Sequence, residues 1–143
     1  MTCLWLSNHP CSKEQQQDVI TLFDSAPIEL NAEGKKMWGQ IDPDSNFGEI
    51  VELADQVIQS TNLLWSEIDG IVIMGELSIC VAMVAMATIH GVKVATPTTQ
   101  RESVETISDD GSVTKTNVFR HCQLRVLHDP ELSGNITNEI TNL

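Results

Sequence analysis

"GIVIMGELSICVAMVAMATIHGVKVAT", residues 70–96, is the stretch on which the fold turns. Its first six residues form an apolar, β-branched run bounded by Gly70 and Gly75, the composition of a strand covered on both faces in a parallel sheet. From Glu76 the chain is apolar nearly all round, with Met83 and Met86 as adaptable core fillers, a pattern that a helix shows when it is packed on two sides. Gly91 closes that helix, and "VKVAT" (92–96) supplies another strand that ends before Pro97. This β-α-β alternation predicts a doubly wound α/β domain, a parallel sheet with helices on both faces. A second copy of the chain would cover the outer side of the apolar helix.

Upstream, "CLWLS" (3–7) reads as a buried first strand ended by Asn8 and Pro10. Ser12 with Gln15 three positions on forms a capping box, and Val19, Ile20, Leu22 and Phe23 give the helix that follows its apolar face. "PIEL" (27–30) is a second strand, Lys35–Trp38 a helical turn, and Ile50, Val51, Leu53, Ala54, Val57 and Ile58 the stripe of a longer helix. Downstream of Pro97 the period becomes two. "ESVETIS" and "SVTKTNVF" alternate around Asp109-Asp110-Gly111, so a C-terminal β-hairpin is expected as an appendage to the α/β unit. Residues 1–128 are read as one domain and 129–143, which lack periodicity, as a flexible C-terminal tail.

Eight Lys and Arg stand against 20 Asp and Glu, a net charge of −12. An acidic surface disfavours long nucleic acid, whose affinity comes from neutralising many phosphates in a row. A small anion needs only a local positive pocket. The window Arg101–Arg125 holds four basic residues and four acidic ones, leaving four against sixteen elsewhere. The four cysteines have no C-x-x-C spacing, which suits a reduced, cytoplasmic setting, and no apolar run is long enough for a bilayer, so no membrane partner is expected.

In open α/β sheets ligands bind beyond the carboxyl ends of the strands. The loops to inspect are therefore Ser7-Asn8-His9, Gly75-Glu76-Leu77-Ser78 and Thr98-Thr99-Gln100-Arg101. Gly75 allows close backbone approach to a ligand or simply makes a turn, and the start of the next helix favours a phosphate. "MGEL" lacks both the G-x-G-x-x-G fingerprint and the P-loop lysine, so neither a dinucleotide enzyme nor a P-loop ATPase is indicated. His9 precedes a proline and either donates to a ligand or bonds its own loop. Glu76 starts a helix, orients an arginine or accepts from a ribose. His121 and Cys122 have no second close pair to complete a metal set, so no metal is expected. The basic residues themselves, Lys115, Arg120, His121 and Arg125, have a plain alternative as a solvated strand face balanced by Glu102 and Glu105 across the hairpin.

The order of "IVIMGE", a helix, "GVKVATPTTQRESVE" and "DDGSVTKTNVFRHCQLRVL" resembles the small stand-alone CRISPR-associated Rossmann-fold (CARF) proteins of the Csx series, the group that includes ring nucleases of type III CRISPR systems. The opening "LSNHPCSKEQ" is similar to one branch of that group, and the final fifteen residues lie outside the likeness. The resemblance implies a prokaryotic homodimer that binds cyclic oligoadenylate, most often the tetra-adenylate, on its two-fold axis. It implies a cut without metal or cofactor, in which the ribose 2′-OH attacks the adjacent phosphorus and expels the 5′-oxygen. On that basis Arg101 and Lys115 are expected to stabilise phosphate and His9 to act as acid or base. Ser7, Asn8, Gly75, Glu76, Ser78, Thr98, Thr99, Gln100, Arg120 and His121 are expected to bind the ring. Many relatives close with F-R-x-Y where "LRVL" has leucines, which leaves Phe119 or Trp38 for any adenine stacking. A protein that sequesters or senses the ring without cutting it is the alternative.

Overall fold

The strand-helix-strand unit expected at residues 70–96 is present in the computed structural model, which describes residues 2–131 and 136–143 apart from the side chains of 136–138. In chain order the elements are β1 (Cys3–Leu6), α1 (Lys13–Phe23), β2 (Pro27–Glu29), α2 (Ala32–Gly39), α3 (Phe47–Ser60), a 3-10 turn (Trp65–Glu67), β3 (Gly70–Ile73), α4 (Leu77–Ile89), β4 (Lys93–Ile107), β5 (Val113–His128) and α5 (Ile136–Thr141). The five strands form one sheet in the order β2-β1-β3-β4-β5. Four are parallel, with Leu4 opposite Ile71 and Ile71 opposite Val94, and β5 runs antiparallel to β4.

Side-chain alternation along the short central strands divides the core in two. Leu4, Leu6, Ile71, Ile73 and Val94 face Trp38, Ile50, Val57, Ile79 and Met83 of α2, α3 and α4. Cys3, Trp5, Val72 and Ala95 face Val19 and Phe23 of α1. Helices therefore cover both faces, which is why these strands read as unbroken apolar runs.

The helix starts follow local chemistry. Ser12 and Gln15 form the predicted capping box, and Asn46 with Glu49 makes a second one at α3. The turn expected at Lys35–Trp38 is a full helix, because Asn31 caps it by accepting from Gly34 N–H at 2.8 Å. α4 keeps its outer side bare, with Leu77 76% and Ile89 81% exposed.

One boundary differs from expectation. β4 does not stop before Pro97 but continues to Ile107, and with β5 makes an arm longer than the predicted hairpin. β3 pairs with β4 only as far as Ala95, so the N–H that proline lacks interrupts no ladder on that side. The arm turns at Gly111, whose φ of 84° is the left-handed geometry expected for the Asp-Asp-Gly stretch. In the region read as a tail, Asp129 is buried and meets Lys93 Nζ at 3.3 Å, α5 forms a short helix, and residues 132–135 lie outside the described residues. Among the described residues no helix is long and apolar enough to cross a membrane.

Candidate functional site

The sheet order reverses direction at β1 and β3, and the carboxyl ends of such a pair are where α/β sheets open a crevice. The β1–α1 loop at that point is held from within. Trp5 Nε1 donates to the His9 carbonyl at 2.8 Å, and His9 N–H donates to Ser7 Oγ at 3.1 Å. Ser7 is buried and lines the same cavity as Asn8 and His9. Asn8 lies against the end of α2, where a Cβ on Gly39 would be 1.7 Å from the amide nitrogen. A cavity of about 270 Å³ lies between this loop and the β3–α4 turn, with Asn8, His9, Gly75 and Glu76 in its wall.

Across that cavity the β3–α4 turn is already occupied by its own side chain. Glu76 caps α4, accepting from Ser78 N–H at 3.0 Å and from Ile79 N–H at 3.3 Å. The Ser78 N–H bond is the main reason its carboxyl lies below the ordinary glutamate range. Of the sequence readings for Glu76, the helix-start carboxylate is the one seen. Two of the donors expected to hold phosphate are thereby used within the chain, and a phosphate would have to displace the carboxylate to reach them. Gly75 likewise serves the fold: a Cβ there would sit 2.6 Å from Trp38 Nε1.

A larger cleft of about 890 Å³ lies on the α1 side of the rim, between the start of α1 and the β4–β5 arm. His9, Thr99, Arg120 and His121 line it together with Lys13 and Phe119. His9 and Met74 belong to both cavities, so His9 stands in the wall between them. His121 Nε2 is 2.7 Å from Asp18 Oδ2 of α1, a contact that ties the arm to the body.

Two of the four Lys and Arg residues between Arg101 and Arg125 are matched by carboxylates on the arm itself. Arg120 meets Glu102 at 3.1 Å and Lys115 meets Glu105 at 3.5 Å, the cross-hairpin balance described above as the plain alternative. Among the described residues Arg101 and Arg125 make no ion pair. Lys115 lies six residues along β5 from His121, about 20 Å at the rise of a strand, and joins neither cavity within one chain. Arg101, Gln100, Thr98 and Ser78 also line neither. Thr98 Oγ1 is bonded to the Gln123 backbone as both donor (3.2 Å) and acceptor (3.3 Å). Sequence reasoning missed Asp18 and Lys13. Asp18 lies 103 residues from His121, and nothing local in the chain announces the pair. Among the described residues no group of three His, Cys, Asp or Glu side chains is placed to hold a metal ion.

The sequence profile of the Uncharacterized protein MJ1673 family matches residues 1–125, which take in the whole parallel sheet, both cavities and nearly all of the arm. No curated protein and no solved structure matches the chain. The chain belongs to the MJ1673 family.

Proposed function

We propose that this member of the MJ1673 family is a Rossmann-like, CARF-type protein that binds cyclic oligoadenylate as a homodimer and cuts it, as a ring nuclease of a type III CRISPR system. The observation that carries the reading is the position of His9, in the wall shared by two cavities at the carboxyl rim of the parallel strands where the strand order reverses. The bare apolar side of α4 supports a second copy of the chain beside it. A ring of even symmetry on the resulting two-fold axis would meet each rim twice.

In this reading the ligand supplies its own nucleophile. The ribose 2′-OH attacks the neighbouring phosphorus as the bond to the 5′-oxygen breaks, giving a 2′,3′-cyclic phosphate and a free 5′-hydroxyl. His9 takes the proton from the 2′-OH or returns one to the 5′-oxygen, and Arg101, which lines neither cavity within one chain, stabilises the charge on the phosphoryl oxygens if the second copy brings it to the rim. Lys115 takes part only if the second copy's arm brings it to the rim. The setting is the prokaryotic cytoplasm.

A second reading, sequestration without cutting, has an observation in its favour: Arg120 and Lys115 are already paired and Glu76 fills the start of α4, so few free groups remain for chemistry. Incubation with radiolabelled cyclic tetra-adenylate in EDTA separates the two. Linear products with 2′,3′-cyclic phosphate ends support the nuclease, and they should be lost in His9→Ala and Arg101→Ala. Tight retention of intact ring supports sequestration. Failure to bind rings of three, four or six adenylates removes both.

A further inference from the structure

The β4–β5 arm runs on past the rim from which it springs, and beyond Thr99 and His121 none of its residues joins either core cluster. An unsupported two-stranded ribbon is marginal in water, so this outer length calls for a cover. The cover has a side. Strand alternation carries the side of Thr99 and His121, the one turned to α1, outward through Arg101 and Phe119, then Glu105 and Lys115, to Ile107 opposite Val113 at the tip. The bulge between Thr98 and Thr99 lies below these pairs and leaves their alternation unbroken. Ile107 is 74% and Val113 56% exposed, an apolar pair about 27 Å from His121 at the rise of a strand. The opposite side of the tip ends in Thr106 and Thr114. On the apolar side Lys115 is matched by Glu105, whereas Arg101 makes no ion pair among the described residues.

We propose that the arm works in trans: its tip seats on a second copy of the chain, and the face that carries Ile107 and Val113 brings Arg101 and Lys115 over that copy's rim. The inference rests on the homodimer of the reading above. Charge names the occupant. Residues 1–100 hold four Lys and Arg against thirteen Asp and Glu, so the body of another copy attracts the unmatched Arg101. The rim lacks what the arm carries. No lysine or arginine lines the cavity walled by Ser7, Asn8, His9, Gly75 and Glu76, so one chain alone offers a phosphodiester there no cation. Area points the same way. The bare side of α4 alone falls short of the roughly 20–30 residues a side that a stable interface uses, and two reciprocal arms supply the balance in a contact that closes on itself.

Light scattering of the full chain at micromolar concentration reads the docking. Val113→Asp removes apolar burial and adds a charge of the partner's own sign, so it should raise the dissociation constant of the dimer about tenfold or more. Thr114→Asp, the next residue on the other face, should leave it unchanged. Both positions are exposed, so both variants should keep the fold, with circular dichroism as the check. Mixed dimers read the delivery. His9→Ala and Arg101→Ala chains, each inactive alone on cyclic tetra-adenylate, should when co-expressed recover up to roughly a quarter of wild-type cutting, because about half the dimers are mixed and each of those keeps one whole site of its two. Were Arg101 to act within its own chain, every site in the mixture would lack one of the two groups. A Val113→Asp dimer as tight as wild type, a Thr114→Asp dimer as weak as Val113→Asp, or no recovery where wild type cuts overturns the inference and leaves the ring reading standing. A wild-type dimer that cuts no ring, while Val113→Asp alone comes apart, defeats the ring reading and keeps the docked tip. A monomeric wild type removes both.

Discussion

Trp38 donates its indole N–H to the Met74 carbonyl at 3.0 Å, and its ring fills the space that a side chain on Gly75 would need. Trp38 is buried, in the core cluster with Ile73 and Ile79, and has little room to give. Gly75→Ala should therefore destabilise the chain by about 1–3 kcal/mol, the usual cost of overpacking. Urea unfolding would measure it, and an unchanged midpoint would mean that the β3–α4 turn yields more easily than the packing indicates.

That glycine shows where the sequence was legible and where it was not. A glycine after a buried strand announces a turn, but its reason lies in a tryptophan 37 residues upstream. The Ser12-Gln15 box was legible because both partners lie within one helical turn. The Gly70–Ile73 strand was legible because burial on both faces makes a continuous apolar run. The passage of β4 through Pro97 was not, since it depends on how far β3 extends alongside it. Of the candidate site, the rim loops followed from strand ends, whereas the Asp18–His121 contact exists only once the arm has folded back on α1.

Glu76 gives a pH signature. Hydrogen bonding from Ser78 N–H, and to a lesser extent from the Ser78 hydroxyl and Ile79 N–H, holds its folded pKa below the ordinary value. A depressed folded pKa means stability that is present above the unfolded value, about 4.3, and is lost as pH falls through the folded one. Wild type should thus be more stable than Glu76→Gln by a constant amount at neutral pH, and the gap should close in the acid range below about pH 4. Urea midpoints from pH 7 to pH 3 would show it. A gap that ignores pH would assign Glu76 no role as a charged cap.

The cysteines should differ sharply in reactivity. Burial, with smaller contributions from Cys11 and Asp69, pushes the Cys3 thiol up to about 12, and burial with Glu29 pushes Cys11 to about 11. At pH 8 about one Cys3 in ten thousand is ionised, and the thiolate is the reactive form. Cys122 is exposed on the arm. Iodoacetamide at pH 8, followed by mass spectrometry of peptides, should mark Cys122 first and Cys3 only after unfolding. Rapid native labelling of Cys3 would contradict its place between β1's neighbours and α1.

Asp18–His121 is a polar side-chain contact between β5 of the arm and α1 of the body. Asp18→Ala would leave a largely buried imidazole with no partner on either nitrogen, a loss of about 1–3 kcal/mol. The loss should be local. Hydrogen exchange in β5 near His121 should quicken while β1 and β3 keep their protection. Uniform quickening across the sheet would instead make the contact part of the global core.

Leu77, Val81, Ala85 and Ile89 recur every four residues along α4 and so share one side of it, with Leu77, Val81 and Ile89 exposed. Packed against the same stripe of a second copy, each large residue would gain up to about 1.5–3 kcal/mol from burial. A lysine at the middle of that seam would face its symmetry mate and lose its hydration, while on a free helix it would be tolerated. Val81→Lys should accordingly convert a dimer into a monomer by light scattering at micromolar concentration, with unchanged circular dichroism. A wild-type chain that is monomeric, or a variant that stays dimeric, would show that α4 is not the seam and that the ring reading must find its two-fold axis elsewhere.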